Sequence, residues 1–542
     1  MKTTPETLVA GYREAGAWGD DTLDSLLASH AQTHPDRIAL VDAPNRDGWT
    51  SGSPRSLTYA EVNAEVEKLA AFFRTLGLAA DHVLGLQAPN TVDAVIALLA
   101  GLRADLVVSP LPLHWRQANV LESLNQVGAK ALVSADRLET RAIAETARDV
   151  AAELFSLRFV FGLGKDIPDG LIDLGPMLQE MGDELPPLED RRAEAADHTA
   201  TISWSRSSGE IVPVVRTHNH WLATARLVQA EAELEDGCRL VMPYSLGGLT
   251  GLGGGLAPWL LAAGTLHLHH PTSLNSLTKH ANDVKANCIL TPGPLAPLVD
   301  RRLSGKKTTI LAAWNIASPS PGAFAPTHRI VDLHVADEFS LVAKARGPSA
   351  KALPVAVGEY NGSNGCESGP ALLELKTKSH KENGEEKLLL VRGPSVPDIG
   401  WRTMAAPPLE TDTEGFLDTG IPVEEIQGGI SGFGIPGTAA HGVGPLTSVD
   451  EIYSTYEGVR EAAAFLVEDP LLGARLYAAL VPDVGTVPDA KAFFAYLDAS
   501  GVDLAKIPHR VLVLQSLPRN EDGTVNRERL TLRTQRLPAA VA

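Results

Sequence analysis

Several things are scarce in this sequence of 542 residues, and each scarcity closes off a class of function. There are only three cysteines, Cys238, Cys288 and Cys366, with no paired or metal-type spacing. That excludes a disulfide framework and a zinc ribbon and predicts reduced thiols. Positive charge is short: 47 basic against 66 acidic residues give a net charge of -19, which argues against a nucleic-acid partner and an acidic membrane surface. No apolar run reaches 18 residues and the first residues, MKTTPETLVAGYREAG, have no apolar signal core, so neither a membrane span nor a secretory leader is expected. The expectation is a cytoplasmic protein. Nor is there a G-x-S-x-G, HExxH or CxxC motif to support hydrolase, zinc or redox chemistry.

What is present is ample apolar material, 44% of residues with 21% charged, enough for a globular chain of two to four domains. Thr58 with Glu61 forms a capping box, Val62, Val66, Leu69 and Phe73 recur at helical spacing, and Gly77 is a stop. A strand His82 to Gln87, a helix Thr91 to Arg103 and a strand Leu106 to Ser109 then spell a β-α-β unit and a parallel sheet. The alternation resumes with strands at Leu240 to Pro243 and Thr265 to His269, a helix Leu252 to Ala263 between them, a further helix to Asn287 and a strand through Thr291, which predicts a second winding. The glycine run Gly247 to Gly255 has no Walker lysine and reads as close helix packing or pocket lining. His267, His269 and His270 have no carboxylate or cysteine nearby in sequence and read as surface histidines at a strand end, so no metal site is expected. From Tyr360 to Lys387 the composition predicts exposed loops and hairpins, and Gly428 to Pro445 has the make-up of a joint.

The stretch Ile202 to His220, ISWSRSSGEIVPVVRTHNH, is a hydroxyl-rich loop after an apolar strand, the composition that lets N–H and O–H groups close around a phosphate. It resembles the phosphate loop TSGTTGxPKGVxxTH of the adenylate-forming enzymes, the superfamily of acyl-CoA synthetases, peptide-synthetase adenylation domains and luciferases. Ser205, Ser207, Ser208, Gly209, Thr217 and His218 match the pattern. Trp204, Arg206, Ile211, Val212 and Pro213 replace its first threonine, first glycine, proline, lysine and second glycine. The resemblance extends over Leu57 to Leu111, over LLLVRGPSV at Leu388 to Val396, and over Gly458 to Pro482 and Lys506 to Leu530, which look like the superfamily's small C-terminal domain.

The resemblance implies an α/β fold: a large N-terminal domain (1–432) of two wound α/β subdomains with a small β-barrel-like subdomain, and a small, mobile α+β C-terminal domain (433–542). It also implies a two-step reaction, ATP-dependent activation of a carboxylic acid to an acyl-adenylate followed by transfer to a thiol, with ATP, magnesium and CoA as cofactors. The residues matching the family's chemistry are largely exchanged. Glu338 keeps the magnesium-ligand position. Asp337 replaces the neighbouring threonine, where a carboxylate would repel phosphate; such an Asp-Glu pair otherwise reads as a solvated loop. Ile421 stands for the ribose-gripping aspartate, with Asp418 the local substitute. Phe433 and Pro436 fall on the arginine and hinge aspartate positions, and Thr524 falls on the adenylating lysine. Removing one charge-stabilising donor costs on the order of 10² to 10³ in rate. The expected function is therefore an acyl-CoA synthetase-like protein in which adenylation is lost or strongly impaired, leaving acyl or CoA-thioester ligand binding or a protein partner. Two alternatives stay open: an active acyl- or aryl-CoA ligase in which Glu338, Arg206 and Asp418 take over, and ATP-independent acyl transfer. Trp204 and Arg206, being large, are expected to fill the space a triphosphate would need.

Overall fold

The computed structural model describes residues 1–181, 192–206, 210–305, 307–316, 324–347, 354–362, 369–379, 387–397, 401, 410–430, 443, 445–486 and 489–534. Two sheets dominate it. A seven-stranded sheet runs in the order Ile172–Asp173, Phe159–Leu163, Ala131–Ala135, Val83–Gln87, Val107–Pro110, Thr199–Ser205, Val212–Thr217, all parallel but for the last strand. An eight-stranded sheet runs Ser340–Ala345, Arg329–Ala336, Thr309–Asn315, Cys288–Pro292, Arg239–Met242, Thr265–Leu268, Ile38–Val41, Ser56–Thr58, with antiparallel strands only at its two edges.

Both windings follow from the local signals. Thr58 and Glu61 close their capping box on the helix Tyr59–Thr75, and Gly77 ends it with φ of +82°. Thr91 caps Val92–Arg103, a helix whose apolar residues face both sheets and are buried almost throughout. One core cluster joins these helices to Leu84 and Val108 of one sheet and to Leu240, Leu266 and Leu290 of the other. The outer faces carry separate clusters around Trp115 and around Trp314. The result is layered, helix-sheet-helix-sheet-helix, the arrangement parallel sheets need to bury both faces.

The glycine run forms a continuous helical stretch from Leu249 to Leu261 with a π turn at Leu252–Leu256. Its glycines exist for close approach: a Cβ on Gly255 would lie 2.1 Å from Met242 Sδ, and one on Gly253 would lie 2.9 Å from Thr224 Cγ2. Further along, Ala371–Ser379 is a nine-residue strand with Leu372, Leu373 and Leu375 buried, the hairpin part of a segment whose composition reads as loop. It pairs into a four-stranded antiparallel sheet with Gly358–Asn361, Lys387–Arg392 and Leu417–Val423.

Residues 445–534 form a unit with cores of its own. The hairpin Val459–Asp469 and Gly473–Pro482 is joined by the parallel strand Arg510–Val513 and covered by the helices Leu446–Ser454, Ala490–Ala499 and Arg527–Thr534. The expected boundary at 432/433 lies outside the described residues. Among the described residues no helix is long and apolar enough to cross a membrane.

Candidate functional site

The strand Thr199–Ser205 ends at the carboxyl edge of its sheet, where open α/β sheets place their ligands. Strand alternation divides its side chains. Ile202 and Trp204 point into the outer cluster, while Ser203 and Ser205 point toward the turn between Arg329–Ala336 and Ser340–Ala345. The expectation that Trp204 fills phosphate space is therefore corrected. Its indole is buried, lies against Trp115 with ring centroids 5.7 Å apart, and donates from Nε1 to Ser109 Oγ at 3.0 Å. It is a core residue.

The turn opposite carries Asp337 and Glu338. Asp337 has φ of +47°, a left-handed conformation that aspartate tolerates better than most residues. Its carboxylate accepts from the Ser205 hydroxyl and from the Arg206 N–H, the latter at 3.2 Å. Glu338 is only 8% exposed, so the solvated-loop reading of this pair is overturned. Both of its carboxylate oxygens lie within reach of Leu249 N, at 3.0 and 3.1 Å, so the carboxyl caps the start of the glycine-rich helix. Burial, with Asp337 adding, pushes its pKa up to about 7 against the opposing pull of Arg216 and hydrogen bonds from Leu249 and Ser203.

Arg216 is the residue sequence reasoning missed. It sits fully buried on the return strand, donates to the carbonyls of Glu338 and Phe339 and lies 5.0 Å from the centroid of the Trp221 ring. Burial lowers its pKa to about 10. A lone arginine in VPVVRT was the available signal, since a cation in an apolar strand must find partners.

The other expected site residues separate. Thr217 is the N-cap of the helix His218–Ala232, accepting from His220 N at 3.2 Å, and His218 Nδ1 accepts from Leu23 N at 3.2 Å, so both serve anchoring contacts. Val212 starts the return strand opposite Ser205. Ile421 is buried in the core of the four-stranded sheet, and Asp418 alternates to the other face, where it accepts from Lys378 and from Gly420 N. Asp418 therefore does not stand in for Ile421. Thr524 is exposed in a turn, bonded to Asp522 and Asn520. Ser207, Ser208, Gly209, Phe433 and Pro436 lie outside the described residues.

The Arg206 side chain reaches out of the large unit. Its guanidinium pairs with Asp503 of the C-terminal unit, which also accepts from Asn119 Nδ2 at 3.5 Å, while Arg116 bonds the carbonyl and carboxylate of Asp498 at 3.0 and 2.5 Å.

The histidines read as surface residues are also corrected. His267 and His269 are buried on one face of their strand against His280, whose Nδ1 is 3.1 Å from His269 Nδ1. Among the described residues no group of three or more His, Cys, Asp or Glu is arranged to hold a metal ion.

Comparison with known proteins puts this geometry in a family setting. Residues 27–301 match the family described as AMP-binding enzyme. A salicyl-AMP ligase / salicyl-S-ArCP synthetase of Mycobacterium tuberculosis is 35% identical over 175 residues, 32% of this chain and 28% of that protein. A medium-chain fatty-acid–CoA ligase of Escherichia coli is 27% identical over 47% of this chain, and that match spans 43% of the ligase. A salicylyl-CoA synthase / salicylate adenylyltransferase of a Streptomyces species is 24% identical over 97% of this chain and 96% of its own length. Among solved structures, apo MbtA of Mycobacterium smegmatis is similar in fold, with a TM-score of 0.63, 20% identity and 98% of both chains covered. The amide bond synthetase McbA of Marinactinospora thermotolerans has a TM-score of 0.68 at 16% identity, over 95% of this chain and 99% of McbA.

Proposed function

The chain belongs to the AMP-binding enzyme family, and from that premise we propose that it binds an acyl or aryl carboxylate, or the thioester of one, in the family's scaffold without adenylating it. One observation carries the reading. The Asp337 carboxylate takes the Ser205 hydroxyl and the Arg206 N–H, donors at the root of the loop that a phosphate would otherwise use, and sets a negative charge there. Mg-ATP does not fit the remaining residues in the family's manner. Val212 and Thr524 supply no cation, and Ile421 offers no acceptor for ribose hydroxyls. Work in the cytoplasm with a small carboxylate or its thioester is consistent with the acidic charge balance and the three unspaced cysteines.

A second reading, an active acyl- or aryl-CoA ligase with a rearranged nucleotide site, is favoured by the match to the salicylyl-CoA synthase over nearly the whole of both chains and by Glu338 at the magnesium-ligand position. The test is end-point formation of AMP and pyrophosphate from Mg-ATP with a panel containing salicylate, benzoate and octanoate, with and without CoA. The expected result is no AMP above the enzyme-free control. AMP that depends on any one acid and on the protein would establish the second reading.

A further inference from the structure

On the outer face of the eight-stranded sheet three imidazoles meet in the interior. His267 lies in register with Val241 of the neighbouring strand, which belongs to the outer cluster around Trp314, and His269 follows at the end of the same strand. His280 comes down on both from the helix Leu274–Asp283, its ring centroid 5.9 Å from that of His267 and 5.2 Å from that of His269. All three are buried.

The cluster has few hydrogen bonds to share. His269 Nδ1 and His280 Nδ1 face each other at 3.1 Å, so one proton serves two nitrogens, and His269 Nε2 reaches Ser276 Oγ at 3.5 Å. Neither ring nitrogen of His267 has a partner among the described residues. Nor is there a counter-charge. The groups acting on the three are Arg239 on the strand beside His267, His270 at the strand end, which pairs with Glu139, and Lys279 and Asp283 on the helix, which pair with each other. A proton added here is therefore a buried charge with no carboxylate to receive it, and such a charge is relieved by letting water in. The helix is the part that can yield. It has ten residues, marginal for a helix without packing, and Leu277 and Ala281 are its contribution to the outer cluster.

We propose that the helix Leu274–Asp283 is an acid-released latch, held on the sheet by three neutral imidazoles and lifted off it, while the rest of the fold stands, when they take up protons. Burial keeps His267 at about 4 and His269 at about 3, and lowers His280 as well, against the ordinary 6.5 that water restores once the helix lifts. The open form binds protons more readily, so opening is unaffected above pH 7 and grows as pH falls from 6.5 toward 4. At pH 5 the gain is roughly 30-fold for each of His267 and His269.

Amide hydrogen exchange of the full chain, corrected for its intrinsic pH dependence, tests this. Protection of residues 274–283 is expected to fall by about 100-fold or more between pH 7.5 and 5. At pH 5 it should be insensitive to urea below denaturing concentration, because a local opening exposes little surface, whereas protection of the helix Val92–Arg103 should respond to urea. His267→Leu and His269→Leu are each expected to shrink the pH effect by roughly tenfold or more. A pH effect of the same size in either folded variant as in the unsubstituted protein would overturn the proposal. Protection of 274–283 that falls with urea in step with Val92–Arg103 would do so as well, since the helix would then be lost only in global unfolding; that comparison needs no variant and stands even where both substitutions fail to fold.

Discussion

The amide of Leu249 stands 3.0 Å from one oxygen of the Glu338 carboxyl and 3.1 Å from the other, so a side chain from the second sheet's edge turn closes the start of the glycine-rich helix. The same carboxyl is buried, and its pKa rises from the ordinary 4.5 to about 7. A group whose native pKa is raised holds its proton more tightly folded than unfolded. Its stabilisation is complete below pH 4.5 and is lost as pH climbs through about 7.

Glu338→Gln should remove that dependence. The difference in unfolding free energy between variant and parent is expected to change by about 3 kcal/mol between pH 4.5 and 8, in the direction of the parent losing stability as pH rises. Urea unfolding of both proteins across that range measures it. A constant difference would mean that the carboxyl titrates normally.

Trp204→Thr restores the family's residue and should be costly. Buried against Trp115 and bonded to Ser109, the indole leaves a cavity when truncated, and a loss of about 3 to 5 kcal/mol is expected. Denaturant midpoints report it. If the tryptophan instead filled phosphate space, the variant would keep its stability and gain affinity for Mg-ATP.

His267 places both ring nitrogens in the interior with no hydrogen-bond partner among the described residues. Burial, with His280 and Arg239 adding, lowers its pKa to about 4 from 6.5. Here the unfolded chain binds the proton more readily, so stability falls as pH drops below 6.5 toward 4. His267→Leu should therefore stabilise the protein, and by about 2 kcal/mol more at pH 5 than at pH 8. Thermal unfolding at the two pH values decides it; His269 and His280, buried beside it, keep the remaining acid sensitivity.

Val212→Lys with Thr524→Lys tests the proposed loss of adenylation from the opposite side. Thr524 is exposed, and Val212 only partly buried at a strand start, so the double variant should fold with stability within about 1 kcal/mol of its parent. With Asp337→Asn added to lift the competing charge, acid-dependent AMP formation is expected to emerge, and AMP quantification checks it. AMP from the unsubstituted protein would show instead that those lysines were never missed.

The wound layers were legible because their signals are local. The capping box at Thr58 and Glu61, the cap at Thr91 and the apolar runs His82 to Gln87 and Leu106 to Ser109 are stated within a few residues, and they become the helices they start and, within one residue at an end, the strands Val83–Gln87 and Val107–Pro110. The loop's departures were equally legible as exchanges of residue type. Their consequences were not. In Ser203, Trp204 and Ser205 the alternation was available, but which face met the core depended on Ser109 and Trp115. Asp418 reads as a substitute for Ile421 three positions away, an odd offset in a strand, and strand geometry sends the two to opposite faces. Asp503 gives no sign in sequence of meeting Arg206, almost 300 positions earlier.

By itself, then, the chain's order of residues determined the two α/β windings, because caps, periodicity and turn residues act over one or two turns of backbone, while the C-terminal unit was legible only through its resemblance to the family. Only the tertiary structure decided where each polar group ends: Asp337 on Ser205, Glu338 on Leu249, Asp503 on Arg206. Those pairings join segments remote in sequence. A buried charge takes whichever partner packing brings within reach, and packing is a property of the whole fold.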